Sequence, residues 1–172
     1  MNKQFDKLAA YAVVNGGLQE SGIADVELPD IDYMAEKISG AGIAGELETL
    51  TLGHTQSMVT KIKWRTVTKD SINLYAPAAH NLVFLGAQQI IDAGTGDIDI
   101  QQVRISVRVM PKKLSLGKMD VNTKTDTAND FETLYLKVEI DGTKMIEIDK
   151  LNYIFYVNGT DYMSGIKTAL EM

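Results

Sequence analysis

Cysteine is absent from the 172 residues. That excludes a disulfide framework, a zinc–thiolate centre and a cysteine nucleophile. Histidine occurs only at His54 and His80, in no metal-ligand spacing such as H-x-x-x-H, so each reads as a loop or helix-end residue. No G-x-S-x-G elbow occurs, which leaves a serine triad without an anchor. No apolar run approaches the roughly 18 residues of a membrane helix. The opening MNKQFDKLAAYAVVNGG lacks a stretch long enough for a signal h-region. The expectation is a soluble protein made and folded in the cytoplasm. Positive charge is also short: 17 Lys and Arg stand against 23 Asp and Glu, a formal net charge of −6. Phosphate contacts supply most nucleic-acid affinity, so this balance argues against stable DNA binding. It suits either ordinary solubility or a surface that DNA or membrane phosphate slides past.

What is present is strand. Hydrophobic residues make up 45% of the chain, enough for one well-filled core and one domain over residues 1–172. From Met58 to Thr66 the pattern alternates. Met58, Ile62 and Trp64 share one face, and Lys61, Lys63 and Arg65 share the other. Residues 82–91 and 97–110 flank Gly94-Thr95-Gly96 as a hairpin. The apolar phase of its second arm changes from even (Ile98, Ile100) to odd (Val103 to Val109), which predicts a bulge near Gln101-Gln102.

In the segment VEIDGTKMIEIDKLNYIFYVNGTD, Val138–Asp161, strands surround Asp141-Gly142 and a third apolar run closes on Asn158-Gly159. Asp-Gly between alternating strands favours a type I′ turn, whose two central residues need positive φ. The closing strands are expected at about 132–140, 144–150 and 151–157. Pro29 demotes the strand around Val26 and Leu28 to an edge or bulge. Asp70-Ser71 caps a helix over roughly 71–80, with Ile72, Leu74 and Tyr75 inward and Pro77 limiting its length. Residues 111–131 read as a long polar loop, and the tail DYMSGIKTALEM as a final short helix. The sum is seven to nine strands and one or two short helices without strand–helix alternation. The fold class is mainly β: an antiparallel sandwich or barrel with a short packed α-helix.

Several motifs are structural rather than chemical. Gly40 to Gly45 spell G-x-G-x-x-G, but a strand-like run follows instead of a helix, and no acid stands twenty residues on. Residues 40–53 read as a Gly-rich loop leading into that run. Asn158-Gly159-Thr160 matches a glycosylation sequon, better explained as a turn. Asp97 and Asp99 lie on one strand face and point to water. No catalytic pair, metal set or cofactor cradle emerges, so no enzymatic activity and no cofactor are expected.

Four features of the closing segment occur together in one family: the Asp141-Gly142 turn, the strand Ile146-Glu147-Ile148-Asp149, Asn152, and the close Val157-Asn158-Gly159-Thr160-Asp161. In these the chain resembles the major tail tube proteins of contractile phage tails and R-type bacteriocins. Val14-Asn15-Gly16-Gly17-Leu18, Val26-Glu27-Leu28-Pro29, the Gly-rich stretch and the polar insertion at 112–131 follow in the family's order. The C-terminus departs from it, ending in Glu171-Met172 rather than a basic helix with a Gly-Leu terminus.

The resemblance implies a β-barrel-like subunit, similar also to type VI secretion tube proteins. Such subunits close into hexameric rings that stack into a hollow tube inside a contractile sheath, and contraction drives the tube through a target membrane. The implied partners are further copies of the chain, the sheath protein, and baseplate and terminator proteins. Tape measure protein or DNA passes through the lumen transiently. The assembly candidates are Gly40, Gly42 and Gly45, with Ile43 and Leu47 as apolar anchors against the next ring. Lys61, Lys63 and Arg65 are either partners for a neighbour's acids or a solvated face. Asp149, Asn158, Gly159 and Asp161 complete the set. Two other readings stay open: a single-ring terminator or baseplate-like relative, and a β-barrel ligand binder.

Overall fold

The computed structural model describes residues 3–20 and 22–172; Met1, Asn2 and Ser21 lie outside them. Among the described residues there are twelve strands and two short helices. In chain order these are β1 (Lys3–Asn15), β2 (Leu18–Gln19), β3 (Ile23–Glu27), β4 (Tyr33–Ser39), β5 (Glu46–Thr55), β6 (Val59–Trp64) and α1 (Lys69–Asn73). Then follow β7 (His80–Asp92), β8 (Ile98–Ser115), β9 (Thr127–Ile140), β10 (Thr143–Asp149), β11 (Ile154–Val157), β12 (Thr160–Asp161) and α2 (Ser164–Ala169). The count exceeds seven to nine partly because β2 and β12 are two-residue pairings at hairpin closures.

The main sheet runs β12-β11-β10-β9-β8-β7-β1-β2, every pair antiparallel. It branches at β9. The N-terminal half of β9 pairs with β6, from Trp64↔Thr127 to Val59↔Glu132, and its C-terminal half pairs with β10. β3 extends the branch from β6. One long strand serving two partners turns the branch over the sheet, and the space between fills with Met58, Ile62, Trp64, Leu82, Val109 and Phe131, all buried. The expected face of β6 is therefore the core face.

Turn chemistry sets the register at the C-terminal end. Asp141 and Gly142 have φ of 48° and 78°, and Ile140 pairs with Thr143 across them. Asn158 and Gly159 repeat this at 45° and 98°, between Val157 and Thr160. Both are two-residue loops with positive φ at both centres, the type I′ geometry whose twist matches the flanking strands.

Several sequence expectations need correction. The helix spans Lys69–Asn73 rather than 71–80, and its cap is Thr68, not Asp70. The Thr68 hydroxyl accepts from the Ser71 amide at 3.1 Å, and the Ser71 hydroxyl accepts from the Thr68 amide at 3.2 Å, a reciprocal capping box. Leu74 is buried beyond the helix, whereas Ile72 and Tyr75 are exposed.

Residues 111–131 are strand at both ends. β8 continues to Ser115 and β9 begins at Thr127, so the loop is only 116–126. In 127–131 the buried positions include polar Thr127 and Asn129, alternating with part-exposed Ala128 and Asp130, which hides the strand period. Within 40–53, only 40–45 is loop, and the rest belongs to β5. The bulge near Gln101-Gln102 is absent, and β8 keeps unbroken register with β7 from Ile98↔Ile91 to Val109↔His80. Ile98 and Ile100 simply face the other side of the sheet. The bulges lie further on, opposite β9, between Arg108 and Val109 and between Pro111 and Lys113.

Candidate assembly surfaces

Three surfaces of this fold bear on assembly. The first is a three-stranded blade. Beyond the core, β1, β7 and β8 run on together, pairing Phe5↔Ile90, Leu8↔Gln88 and Tyr11↔Gly86 on one side and Gly86↔Val103 on the other. Register shifts at Asp6 and Ala9 bring Phe5, Leu8, Tyr11 and Val13 onto one face despite their near-three-residue spacing. Val13 is buried, but Phe5, Leu8 and Tyr11 are exposed. The opposite face carries Ile98 and Ile100, at 65% and 54% exposure. Between blade and β3 lies an open groove of about 340 Å³, lined mainly by Leu8, Tyr11, Val26, Leu28, Phe84 and Val103.

Both long edges of the blade are open. Among the described residues β1 is paired on its outer side only at Val14 and Asn15, to β2, apart from the Tyr11 phenol donating to the Ala24 carbonyl at 3.0 Å. β9 reaches only as far as Val103 on β8, leaving 98–102 without a strand partner there. Asp141 closes the last of that edge, its carboxylate accepting from the Gln102 amide at 3.0 Å and the Gln101 side chain at 2.9 Å. These two bonds, the Gln101 one first, hold its carboxyl below the usual range. Unpaired edges with apolar faces are a template for further strands.

The second feature is the arm β4–β5. Its two strands pair only with each other, from Ser39↔Glu46 to Tyr33↔Thr55. It is rooted where the Tyr33 and Phe155 rings sit 5.5 Å apart and where Gly53 lies against Met163. Gly40, Gly42 and Gly45 form its tip, all at positive φ and with open space beside them. Ile38 and Leu47 face each other on one side, Ala35 and Leu50 on the other, and Ile38, Leu47 and Leu50 are exposed. Ile43 at the tip is half-buried. A lone two-stranded hairpin is marginally stable in water, so an arm with apolar residues on both faces is built to be covered.

The third feature is the lysine face of β6. Lys63 Nζ lies 2.6 Å from Glu27 and 3.7 Å from Asp25, and Lys61 Nζ 3.9 Å from Glu27. The hydrogen bond from Lys63 pulls the Glu27 carboxyl below its usual range, and the same bond, helped by Asp25, raises Lys63. Cross-strand acids on β3 thus occupy these two lysines within the subunit. Arg65 has no ion pair among the described residues and is exposed.

The closing-motif residues are placed within the chain's own turns. Asp149, buried, accepts from the amides of Leu151 and Asn152 at 3.0 and 3.1 Å and from the Asn152 side chain at 2.6 Å. Asp161 accepts from the Phe155 and Met163 amides at 3.2 and 3.0 Å. Asn158 and Gly159 form the exposed turn between them. The motif is therefore a set of local staples for β10–β12. Sequence reasoning missed the blade, whose signal was the run of apolar residues at 5, 8, 11, 98 and 100 that no single strand face explains.

A family model described as phage tail tube protein FII matches residues 6–170. The tail tube protein of Escherichia phage P2 is 28% identical over 162 residues, covering 90% of this chain and 91% of that protein. In a cryo-EM structure of an extracellular contractile injection system (PVC), the sheath/tube terminator in the extended state aligns with TM-score 0.51 and 13% identity. That alignment covers 76% of this chain and 94% of the terminator chain, a likeness of fold.

Proposed function

Because the chain belongs to the phage tail tube protein FII family, we propose that it is the repeating subunit of the inner tube of a contractile injection system. Copies close into hexameric rings, and the rings stack into a rigid hollow tube that sheath contraction drives through a target envelope. The work is mechanical; the lumen passes DNA in a phage tail or ions in a bacteriocin. Assembly takes place in the cytoplasm of the bacterial host.

The observation that carries this reading is the pair of open blade edges. β1 and β8 both run antiparallel to β7, so they are parallel to each other. Adding β1 of one copy to the β8 edge of the next, in the same orientation, makes a parallel pair at every junction. The two surfaces differ, so the contact is heterologous. A heterologous contact that closes makes a ring, and an axial repeat makes a filament. Ring closure covers the apolar blade, and the β4–β5 arm reaches the adjacent ring with Ile38, Ile43 and Leu47. The net charge of −6 leaves a wall to which DNA does not adhere, since counterion-releasing contacts are few.

The test is deletion of residues 40–47 in the full chain, read by sedimentation and negative-stain microscopy. Rings that no longer stack support the arm's role. Unaltered tubes refute it. A terminator that forms one ring and stops is distinguished by the intact chain alone, which then gives single rings at every concentration.

A further inference from the structure

The open edge of β8 is not bare. In an antiparallel pair, successive residues of a strand turn their N–H and C=O groups to opposite sides. The Asp141 amide donates to the Gln102 carbonyl at 2.9 Å from the side away from β7. Gln102 therefore presents its backbone groups to the open side, and Ile100 and Ile98, at two-residue spacing, present theirs there too. These are the groups an added strand would take. Strand β9 stops at Val103↔Ile140, so among the described residues no strand of the chain itself takes them.

Of the outward N–H groups at Ile98, Ile100 and Gln102, two are occupied, each by a carboxylate. The Gln102 amide donates to Asp141 Oδ1 at 3.0 Å, and the Ile100 amide donates to Asp99 Oδ1 at 2.8 Å. The Gln101 side chain steadies the first, donating to Asp141 Oδ2 at 2.9 Å. Asp99, Ile100, Gln102 and Asp141 are all exposed, so burial does not force either carboxylate onto its amide. Both contacts are reversible by side-chain rotation alone. Asp99 bonds the amide next to it in sequence, and a change of rotamer undoes that. Asp141 is held in the β9–β10 turn by its backbone, at positive φ with Gly142, and its side chain is not part of that turn's backbone geometry.

We propose that Asp99 and Asp141 are releasable caps on the β8 edge: they hold it closed in the free subunit and swing off when β1 of the next copy adds there. The inference rests on the tube reading and supplies what governs when the edge opens. An uncapped edge flanked by exposed Ile98 and Ile100 is a template for any strand in any register. A capped edge exchanges two charge-assisted hydrogen bonds for the ladder bonds of the incoming strand. A short or misaligned strand does not offset that loss, whereas a strand that adds along the whole edge does. The caps therefore raise the concentration at which subunits join and favour the full β1 pairing over partial ones.

The test removes the caps and keeps the edge. Asp99→Ala deletes one carboxylate, and Asp141→Gly deletes the other while leaving positive φ accessible at the turn. The full chain carrying both changes is compared with the parent by sedimentation across a concentration series. The expected result is tubes at a concentration about tenfold lower than the parent needs, with each single change giving part of the shift. An unchanged or higher threshold in a variant that keeps the parent's thermal midpoint overturns the proposal.

A measurement on the unmodified chain covers a variant that folds poorly. In a cryo-EM map of parent tubes, the Asp99 and Asp141 carboxylates are expected to stand away from the Ile100 and Gln102 amides, which bond carbonyls of the neighbour's β1 instead. Tubes in which the carboxylates still hold these amides overturn the proposal and leave the tube reading intact. If the unmodified chain gives no tubes at all, the tube reading itself fails and the caps with it.

Discussion

The indole N–H of Trp64 donates to the amide oxygen of Asn129 at 2.8 Å, with both side chains fully buried. The Asn129 amide nitrogen donates in turn to the Ser71 carbonyl at 3.0 Å. One side chain on β9 therefore ties β6 to the capped helix α1 at the point where the sheet branches. Asn129→Leu strands a buried N–H and a buried carbonyl together. The expected loss is about 2–4 kcal/mol, measured by urea denaturation with Trp64 fluorescence as the probe. A loss below about 0.5 kcal/mol would show that the network is not what holds the branch.

Gly53 marks the root of the arm. Its φ is +70°, and a Cβ there would lie 1.9 Å from the Met163 sulfur. Gly53→Ala combines a left-handed conformation with a clash, and should cost about 1–3 kcal/mol. Met163→Ala in the same chain should recover part of that loss by opening space, at the expense of core packing. Equal thermal midpoints for Gly53→Ala and the parent chain would refute the close approach.

The pH response follows from Glu147 and Tyr135. The Tyr135 hydroxyl donates to Glu147 at 2.9 Å, and Lys144 Nζ sits 2.6 Å from the same carboxylate. The Lys144 hydrogen bond, seconded by that of Tyr135, outweighs burial and holds Glu147 below its ordinary 4.5. Its contribution to stability is present above pH 4.5 and lost as pH falls through the folded value. Tyr135 is pushed up to about 12, by burial first and then by Glu147. Its contribution is present below its ordinary 10 and lost as pH rises towards about 12. Glu147→Gln should therefore lower the thermal midpoint at pH 7, and by less at pH 3, because the contribution fades as pH falls below 4.5 towards the lowered folded value. The pair is partly solvated, so the effect is on the order of 0.5 kcal/mol. An equal loss at both pH values would contradict the assignment.

The arm should matter to assembly and not to folding. Ile38→Ser with Leu47→Ser removes two part-exposed apolar side chains that pair with each other across the arm and lie outside the core cluster. The thermal midpoint should stay within about 0.5 kcal/mol equivalent, while sedimentation shows loss of stacked species. Loss of both together would mean that the arm is part of the folding unit.

Much of the fold was legible where local chemistry decides it. Asp141-Gly142 and Asn158-Gly159 announce their turns because few residues accept positive φ twice running. Met58, Ile62 and Trp64 announce a core face by alternation. The misreadings share a cause. Thr127 and Asn129 are polar yet fully buried, satisfied by partners outside any local window, so the start of a core strand looked like a loop. Ile98 and Ile100 are apolar yet exposed, so a continuous strand looked bulged. For the site candidates, Lys61 and Lys63 found their acids on β3, a pairing no local window shows. The blade was hidden because its two register shifts give β1 a spacing that belongs to neither strand nor helix.

The central claim is that open edges and apolar faces of this subunit are completed by identical copies. It is tested most directly by cryo-electron microscopy of the purified full-length chain across a concentration series. The account predicts stacked rings with β1 of each subunit paired in parallel to β8 of its neighbour. A monodisperse monomer at high concentration, with the blade and the β4–β5 arm still uncovered, would contradict it.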